Sequence, residues 1–308
     1  MTSSIDVGHI HQTVWTQDFD LHSHSTHSDG IHEVEEVAQK MMDSNVKYWA
    51  LTDHDTISGW DEARESAKSR GIHFIPGVEI TCSPGLDADE KELKRMEREG
   101  ASKSWHLLAY FPHHKDSNKG IERFEKWLKP LQESRLPRMV KMLEKLEKLG
   151  MPISLEKVLE KAGGSIGRPH LAEVMVEEGY VESKNEAFEV WIGDGMPGHY
   201  VQPKPSIEEA TKIVHSVGGF VSLAHPLYYG VNPEKLVQYC HSKGVDSIEA
   251  FHGSHPDSYR FELWKLADKN GMSITCGSDF HGSNHGHRPG YAVVPFNGLN
   301  ADLGSSSN

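Results

Sequence analysis

Cysteine is scarce in this chain: three in 308 residues, Cys82, Cys240 and Cys276, widely spaced and without a Cys-x-x-Cys pair. That argues against a disulfide framework and against a thiolate zinc site. Long apolar runs are missing as well. No stretch of about 18 apolar residues occurs, and residues 1–20 hold no continuous apolar segment of signal-peptide type, so a cytoplasmic protein with no membrane association is expected. Positive charge is the third shortage: 32 Lys and Arg stand against 45 Asp and Glu, a formal charge of -13. A broad basic surface for nucleic acid is therefore not expected. An anionic substrate remains compatible, because bound divalent ions invert the local charge.

What is abundant is histidine, with 21 dispersed along the chain. Many end short apolar segments. In Asp18-Phe-Asp-Leu-His22-Ser-His24 the two imidazoles stand at i and i+2, on one face of a strand, and Asp29 follows five residues later. Further apolar runs carrying histidine or carboxylate are Lys47-Tyr-Trp-Ala-Leu-Thr-Asp53-His54-Asp55, Ile72-His-Phe-Ile-Pro-Gly-Val-Glu79, Gly219-Phe-Val-Ser-Leu-Ala-His225, Val245-Asp-Ser-Ile-Glu249-Ala-Phe-His252 and Ser273-Ile-Thr-Cys-Gly-Ser-Asp279-Phe-His281. Trp105-His106-Leu-Leu-Ala-Tyr has its histidine at the front instead, which leaves a strand-edge histidine as an alternative to a ligand.

Helical patterns over residues 33–43, 60–70, 234–243 and 259–270 alternate with these runs, favouring a parallel sheet. Ligand-type residues at strand C-terminal ends favour closing it into a distorted (β/α)7 TIM-like barrel with its site at the top. Residues 1–118 and 206–297 read as the two parts of that barrel. Between them, 119–205 read as a mainly helical insertion or cap, where Leu136, Met139, Val140, Leu143 and Leu146 make one apolar stripe ended by Gly150. The mixed-charge stretch 86–103 reads as solvated, as do His27, His32, His73, His113 and His114; His285 and His287 read as loop, and 298–308 as a flexible tail.

Taken together, His22, His24, Asp29, the turn around His54, Gly77-Val-Glu79, Ala224-His225-Pro226 and Gly277-Ser-Asp279-Phe-His281 resemble, in order, the PHP (polymerase and histidinol phosphatase) family of metal-dependent phosphoesterases. The resemblance implies a trinuclear site: His22, His24, Glu79 and Asp279 around one ion, Glu79 bridging to a second held by His106 and His225, and Asp29, His54 and His281 around a third. Imidazole and carboxylate donors suit Mn, Fe or Zn. Two cations sharing a bridge depress the pKa of a shared hydroxide, which would attack phosphorus in line. Asp53 and Asp55 would orient His54 from behind, or Asp55 would cap the following helix.

Gly167-Arg168-Pro169-His170 and the segment ending at Lys204 resemble the branch of 3′,5′-nucleoside bisphosphate phosphatases and 5′-3′ exoribonucleases. Arg168 would then grip phosphate through its planar fork, with His170 or Lys204 assisting. Arg135 and Arg138 would serve the same anion or be exposed helix charges. His255 would donate a proton to the leaving group, bind phosphate, or be a structural loop histidine. The expected partner is a small phosphorylated nucleotide or a short RNA or DNA end, with no obligate protein partner. Hydrolysis of histidinol phosphate or another small phosphate ester is the alternative enzyme reading. A non-catalytic or polymerase-associated metal-binding module is the alternative of another class.

Overall fold

A computed structural model describes residues 13–83, 104–113, 119–282 and 287–299. The expectations for 86–103, His114, His285 and the tail beyond 299 lie outside the described residues. A seven-stranded sheet forms the barrel in the order β2 (Phe19–Asp20), β3 (Tyr48–Leu51), β4 (His73–Cys82), β5 (Trp105–Tyr110), β6 (Phe220–Leu223), β7 (Ser247–His252) and β8 (Ser273–Gly277). Leu21 N–H donates to Cys276 O at 3.1 Å, and Ser23 bridges to Phe280, so the last strand meets the first. A two-stranded antiparallel ribbon, β1 (Trp15–Thr16) with β9 (Val294–Pro295), lies outside this sheet.

The sheet departs from the all-parallel expectation at one strand. β5 runs antiparallel to both β4 and β6, whereas the β2-β3-β4 and β6-β7-β8 pairings are parallel. Reversal turns the first residues of β5 toward the end of the sheet where the other strands finish. The front position of His106 is thereby explained.

Expected helices appear at Val34–Asp43, Trp60–Ser69, Pro233–Ser242 and Asp257–Lys269. Their apolar residues, among them Val37, Met41, Ala63, Leu236 and Leu263, are buried against the sheet. The central core runs through Ile75, Val78, Ile80, Leu107, Val221, Ile248 and Ile274.

Between β5 and β6 the described elements of the expected insertion are helices. Its main helix spans Lys119–Lys148 and ends two residues before Gly150; Leu155–Lys161, Arg168–Glu177, a single turn at Lys184–Glu186 and a π-helical turn at Ala187–Ile192 follow. Met139, Met142, Leu143, Leu146, Leu171, Val174 and Ile192 form a cluster distinct from the barrel core. Leu136 does not join it and stays 44% exposed. Glycines let the insertion press on the barrel rim. A Cβ at Gly164 would meet the carbonyl oxygens of His27 and Thr26 at 2.8 Å, and Ser165 N–H donates to His27 O at 3.1 Å.

Candidate metal centre

His22 and His24 leave β2 on one face, both fully buried, while Ser23 points the other way. Trp49 Nε1 donates to Ser23 Oγ at 2.8 Å, and Ser23 Oγ donates to Ala50 O at 3.0 Å, which fixes the alternation. The loop carrying Asp29 is held by Asp53, which accepts from Ser25 N at 2.8 Å, Ser25 Oγ at 2.7 Å and Ser28 Oγ at 2.6 Å. Asp53 therefore serves the 24–29 loop and shows no hydrogen bond to His54. Asp55 does not cap the next helix, whose N-cap is Gly59 without a side-chain bond. Its carboxylate instead accepts from Thr81 N at 2.7 Å, Thr81 Oγ1 at 3.0 Å and the Arg135 guanidinium.

Glu79, mid-strand on β4, is the centre. Its Oε2 lies 3.1 Å from His22 Nε2, 3.1 Å from His24 Nε2 and 3.3 Å from His54 Nδ1. Its Oε1 lies 2.9 Å from His106 Nδ1 and 3.0 Å from His225 Nε2. One buried carboxylate thus faces five imidazoles. Asp279 Oδ1 lies 3.3 Å from both His22 Nε2 and His24 Nε2, and His281 Nε2 is 3.3 Å from Asp29 Oδ1. His54 looks both ways, with Nε2 at 3.6 Å from Asp29 Oδ2.

Every one of the nine ligand candidates enters this constellation. Four donors from His22, His24, Glu79 and Asp279 converge, each within 4.8 Å of the others, as do those of His24, Asp29, His54 and His281, and those of His54, Glu79 and His106. The donor set fits divalent cations on a further observation. His24 Nε2, His54 Nδ1 and His225 Nδ1 are buried and have no hydrogen-bond partner, a costly state for a polar atom.

Electrostatics give the same account. Burial favours a neutral Glu79, yet His54, His106 and His22 outweigh it and hold the carboxyl well below its ordinary range. Burial likewise opposes a proton on His24, but Asp279 and Glu79 push that imidazole up to about 10. His54 goes the other way, held by burial at about 3. Carboxylates that demand protons on neighbouring imidazoles are met equally by a cation placed between the same atoms.

Strain is concentrated here. Among the described residues, non-glycine positive φ occurs at Asn45, Asp55, His225 and Asp279, and the last three sit at the centre.

The expected phosphate-binding residues lie in or beside the insertion, each with a partner in the chain. Arg168 Nη1 donates to Asp194 Oδ1 at 2.7 Å. Lys204 donates to Ser104 Oγ, which in turn donates to Asp194 Oδ2 at 2.7 Å. Arg135 holds Asp55, and His170 Nδ1 accepts from Gly167 N at 3.0 Å, capping its own helix. Arg138 Nη2 is buried without a hydrogen bond. His255 is placed behind the ligands: Nδ1 donates to Ala250 O at 3.0 Å, Nε2 faces Leu227 N at 3.5 Å, and burial lowers the ring to about 3.

Sequence reasoning missed Asp20, Glu249, His252 and Asp194. Asp20 accepts from Ser278 N at 2.9 Å and Gly290 N at 2.9 Å, bracing the corner that presents Asp279. Glu249 and His252 stood in a quoted run but carried no role, and Asp194 stood in no ligand-like motif.

A PHP-domain family model matches residues 20–134. The chain is 30% identical over 269 residues to a 5′-3′ exoribonuclease from Haemophilus influenzae, covering 86% of this chain and 90% of that protein. The chain belongs to the PHP-domain family. It is a phosphoester hydrolase. It is also 30% identical over 280 residues to a 3′,5′-nucleoside bisphosphate phosphatase from Chromobacterium violaceum, covering 87% and 89% of the two chains. A solved metal-dependent phosphoesterase from Bifidobacterium adolescentis superposes with a TM-score of 0.74 at 27% identity, covering 90% of this chain and 92% of that one. The matched segment runs from the end of β2 through β5 into the helix Lys119–Lys148, and the similarity to the relatives extends over most of the remaining chain. No helix among the described residues is long and apolar enough to cross a membrane.

Proposed function

We propose that the protein hydrolyses phosphate esters of nucleotides, acting as a 3′,5′-nucleoside bisphosphate phosphatase, as a 5′-3′ exonuclease on short oligonucleotides, or as both. The observation that carries this reading is the Glu79 carboxylate facing five imidazoles at the barrel mouth, with Arg135, Arg168 and Lys204 contributed by the insertion. His22, His24, Glu79 and Asp279 would hold one divalent ion; Glu79, His106 and His225 a second; Asp29, His54 and His281 a third. Manganese, iron or zinc suits this oxygen and nitrogen donor set.

Bound cations supply acidity that activates water at neutral pH and positive charge that offsets the phosphoryl oxygens. The chain supplies the rest. Asp53 and Asp20 fix the two loops from which Asp29 and Asp279 project, so the ligand geometry is set before substrate arrives. Arg135, Arg168 and Lys204, with His170, form the phosphate-binding side. Their present partners, Asp55 and Asp194, hold these cations in place, and a substrate phosphate would compete for the same donors. The relatives named for nucleotide and RNA chemistry support the substrate class. A cytoplasmic place of action follows from that substrate class.

The test is a panel with Mn²⁺: 3′-phosphoadenosine 5′-phosphate, 5′-phosphorylated short RNA and histidinol phosphate. Turnover of either nucleotide substrate, reduced by Arg168→Ala, is expected. Hydrolysis of histidinol phosphate alone, indifferent to Arg168→Ala, overturns the nucleotide reading.

A further inference from the structure

Strand β7 carries a β-bulge. Its pairing to β8 runs Ser247 with Ser273, Ile248 with Ile274 and Glu249 with Thr275, then jumps to Phe251 with Cys276 and His252 with Gly277. Ala250 is the extra residue. Strict alternation would put positions 249 and 252 on opposite faces; one inserted residue brings both to the same side, toward the metal centre. Both are fully buried there.

Glu249 uses its two oxygens on two different corners of the site. Oε1 accepts from His22 Nδ1 at 2.9 Å, and because a carboxylate cannot donate, that nitrogen carries the proton. His22 Nε2, facing the Glu79 and Asp279 carboxylates, is the nitrogen left to a cation that would displace its proton. Oε2 accepts from the backbone N–H of His225 at 2.7 Å. His225 has φ 26° and ψ 56°, a conformation that a non-glycine residue keeps only when its surroundings impose it. The fold leaves room for this arrangement at Gly277, where a Cβ would lie 2.2 Å from His22 Cβ and 2.9 Å from Glu249 Oε1.

We propose that Glu249 is a positioning residue that fixes the metal-ready tautomer of His22 and the strained backbone of His225 together, so that one carboxylate couples two corners of the centre. The proposal rests on the metal-centre reading above. Glutamine cannot replace it: an amide presents one acceptor and one donor, so either His22 Nδ1–H or His225 N–H loses its acceptor. Loss of such a support costs about 10- to 100-fold in metal affinity.

The experiment compares wild type, Glu249→Gln and Glu249→Asp after chelator treatment and dialysis. Mn²⁺ binding is measured by calorimetry, imidazole tautomers by ¹⁵N NMR of the metal-free protein, and folding by thermal unfolding. The expected result for Glu249→Gln is a cooperative unfolding transition, a loss of Mn²⁺ affinity of about 10-fold or more at one or more ions, and a His22 ring or His225 amide signal changed from wild type. Glu249→Asp, which keeps both acceptors on a shorter arm, is expected to retain the His22 Nδ1–H signal and recover part of the affinity. Unchanged Mn²⁺ affinity and unchanged His22 and His225 signals in Glu249→Gln would overturn the proposal. So would equal losses in both variants with wild-type tautomers, since the affinity would then not depend on the two acceptors. A wild type that binds no Mn²⁺ would instead sink the metal-centre reading itself.

Discussion

His106 Nδ1 lies 2.9 Å from Glu79 Oε1 although His106 begins its strand and Glu79 sits well inside its own. Antiparallel pairing of β4 and β5 makes this possible, since the start of β5 and the later part of β4 share one end of the sheet. Two imidazoles, His106 and His225, converge on that one oxygen. Removing the carboxylate should therefore affect both sides of the centre at once. Glu79→Gln is expected to lower kcat/KM by about 10³-fold, the several kcal/mol that metal-centred charge stabilisation supplies. Steady-state kinetics with Mn²⁺ decide it, and activity within tenfold of wild type would contradict the bridging role.

The strand reversal also marks where the sequence stopped being legible. Local patterns place the strands, the flanking helices and the nine candidate ligands, because strand period and ligand chemistry are local properties. Direction is not local. The run Trp105-His106-Leu-Leu-Ala-Tyr reads identically whichever way its neighbours point, so His106 was ambiguous. Glu249 and His252 escaped for a related reason: period two sets them on opposite faces, and only the bulge at Ala250 reunites them. Asp55 had a local explanation as a helix cap, but its partners Thr81 and Arg135 come from distant segments. Leu136 fits the apolar stripe by spacing, yet the helix turns it to solvent near the barrel rim.

Packing of the insertion against the rim gives a second expectation. Gly164→Ala places a methyl 2.8 Å from two carbonyl oxygens, so insertion and loop must separate. Overpacking of this kind costs about 1–3 kcal/mol. Thermal unfolding should show a lowered Tm, with weakened Mn²⁺ binding because the displaced loop carries His24 and Asp29. A Tm equal to wild type would show that the contact is slack.

Asp194 gathers two cations and an imidazole. Arg168 and His199 approach its Oδ1, and Ser104 relays Lys204 to its Oδ2. The His199 hydrogen bond and the Arg168 and Lys204 charges hold the Asp194 carboxyl far below its ordinary range against the opposing effect of burial. Asp194→Asn leaves the half-buried Arg168 and Lys204 without that counter-charge, a loss expected to fall below the roughly 3–5 kcal/mol of a fully buried pair. Denaturant unfolding tests it. A change under about 1 kcal/mol would mean that water reaches the cluster and screens it.

Burial, with Arg138 and Arg168 nearby, pushes the Lys204 ammonium down to about 8, while Asp194 opposes the shift. Between pH 8 and the unfolded value of 10.5 the unfolded chain binds more protons at this group than the folded one. Its contribution to stability therefore rises with pH across that window. Under the proposed function the effect on binding is opposite: as pH climbs through about 8 the Lys204 charge is lost, and KM for a nucleotide substrate is expected to increase. Lys204→Arg, which stays charged, should flatten that increase. Identical KM profiles from pH 7 to pH 9.5 in both proteins would remove Lys204 from the substrate side.

The most direct test of the account is a metal titration of the chelator-stripped protein, read as inorganic phosphate released from 3′-phosphoadenosine 5′-phosphate. The account predicts no turnover without metal, recovery as Mn²⁺ fills about three sites per chain, and no recovery in Asp279→Ala. Full turnover by the stripped protein, or equal recovery in Asp279→Ala, would contradict it.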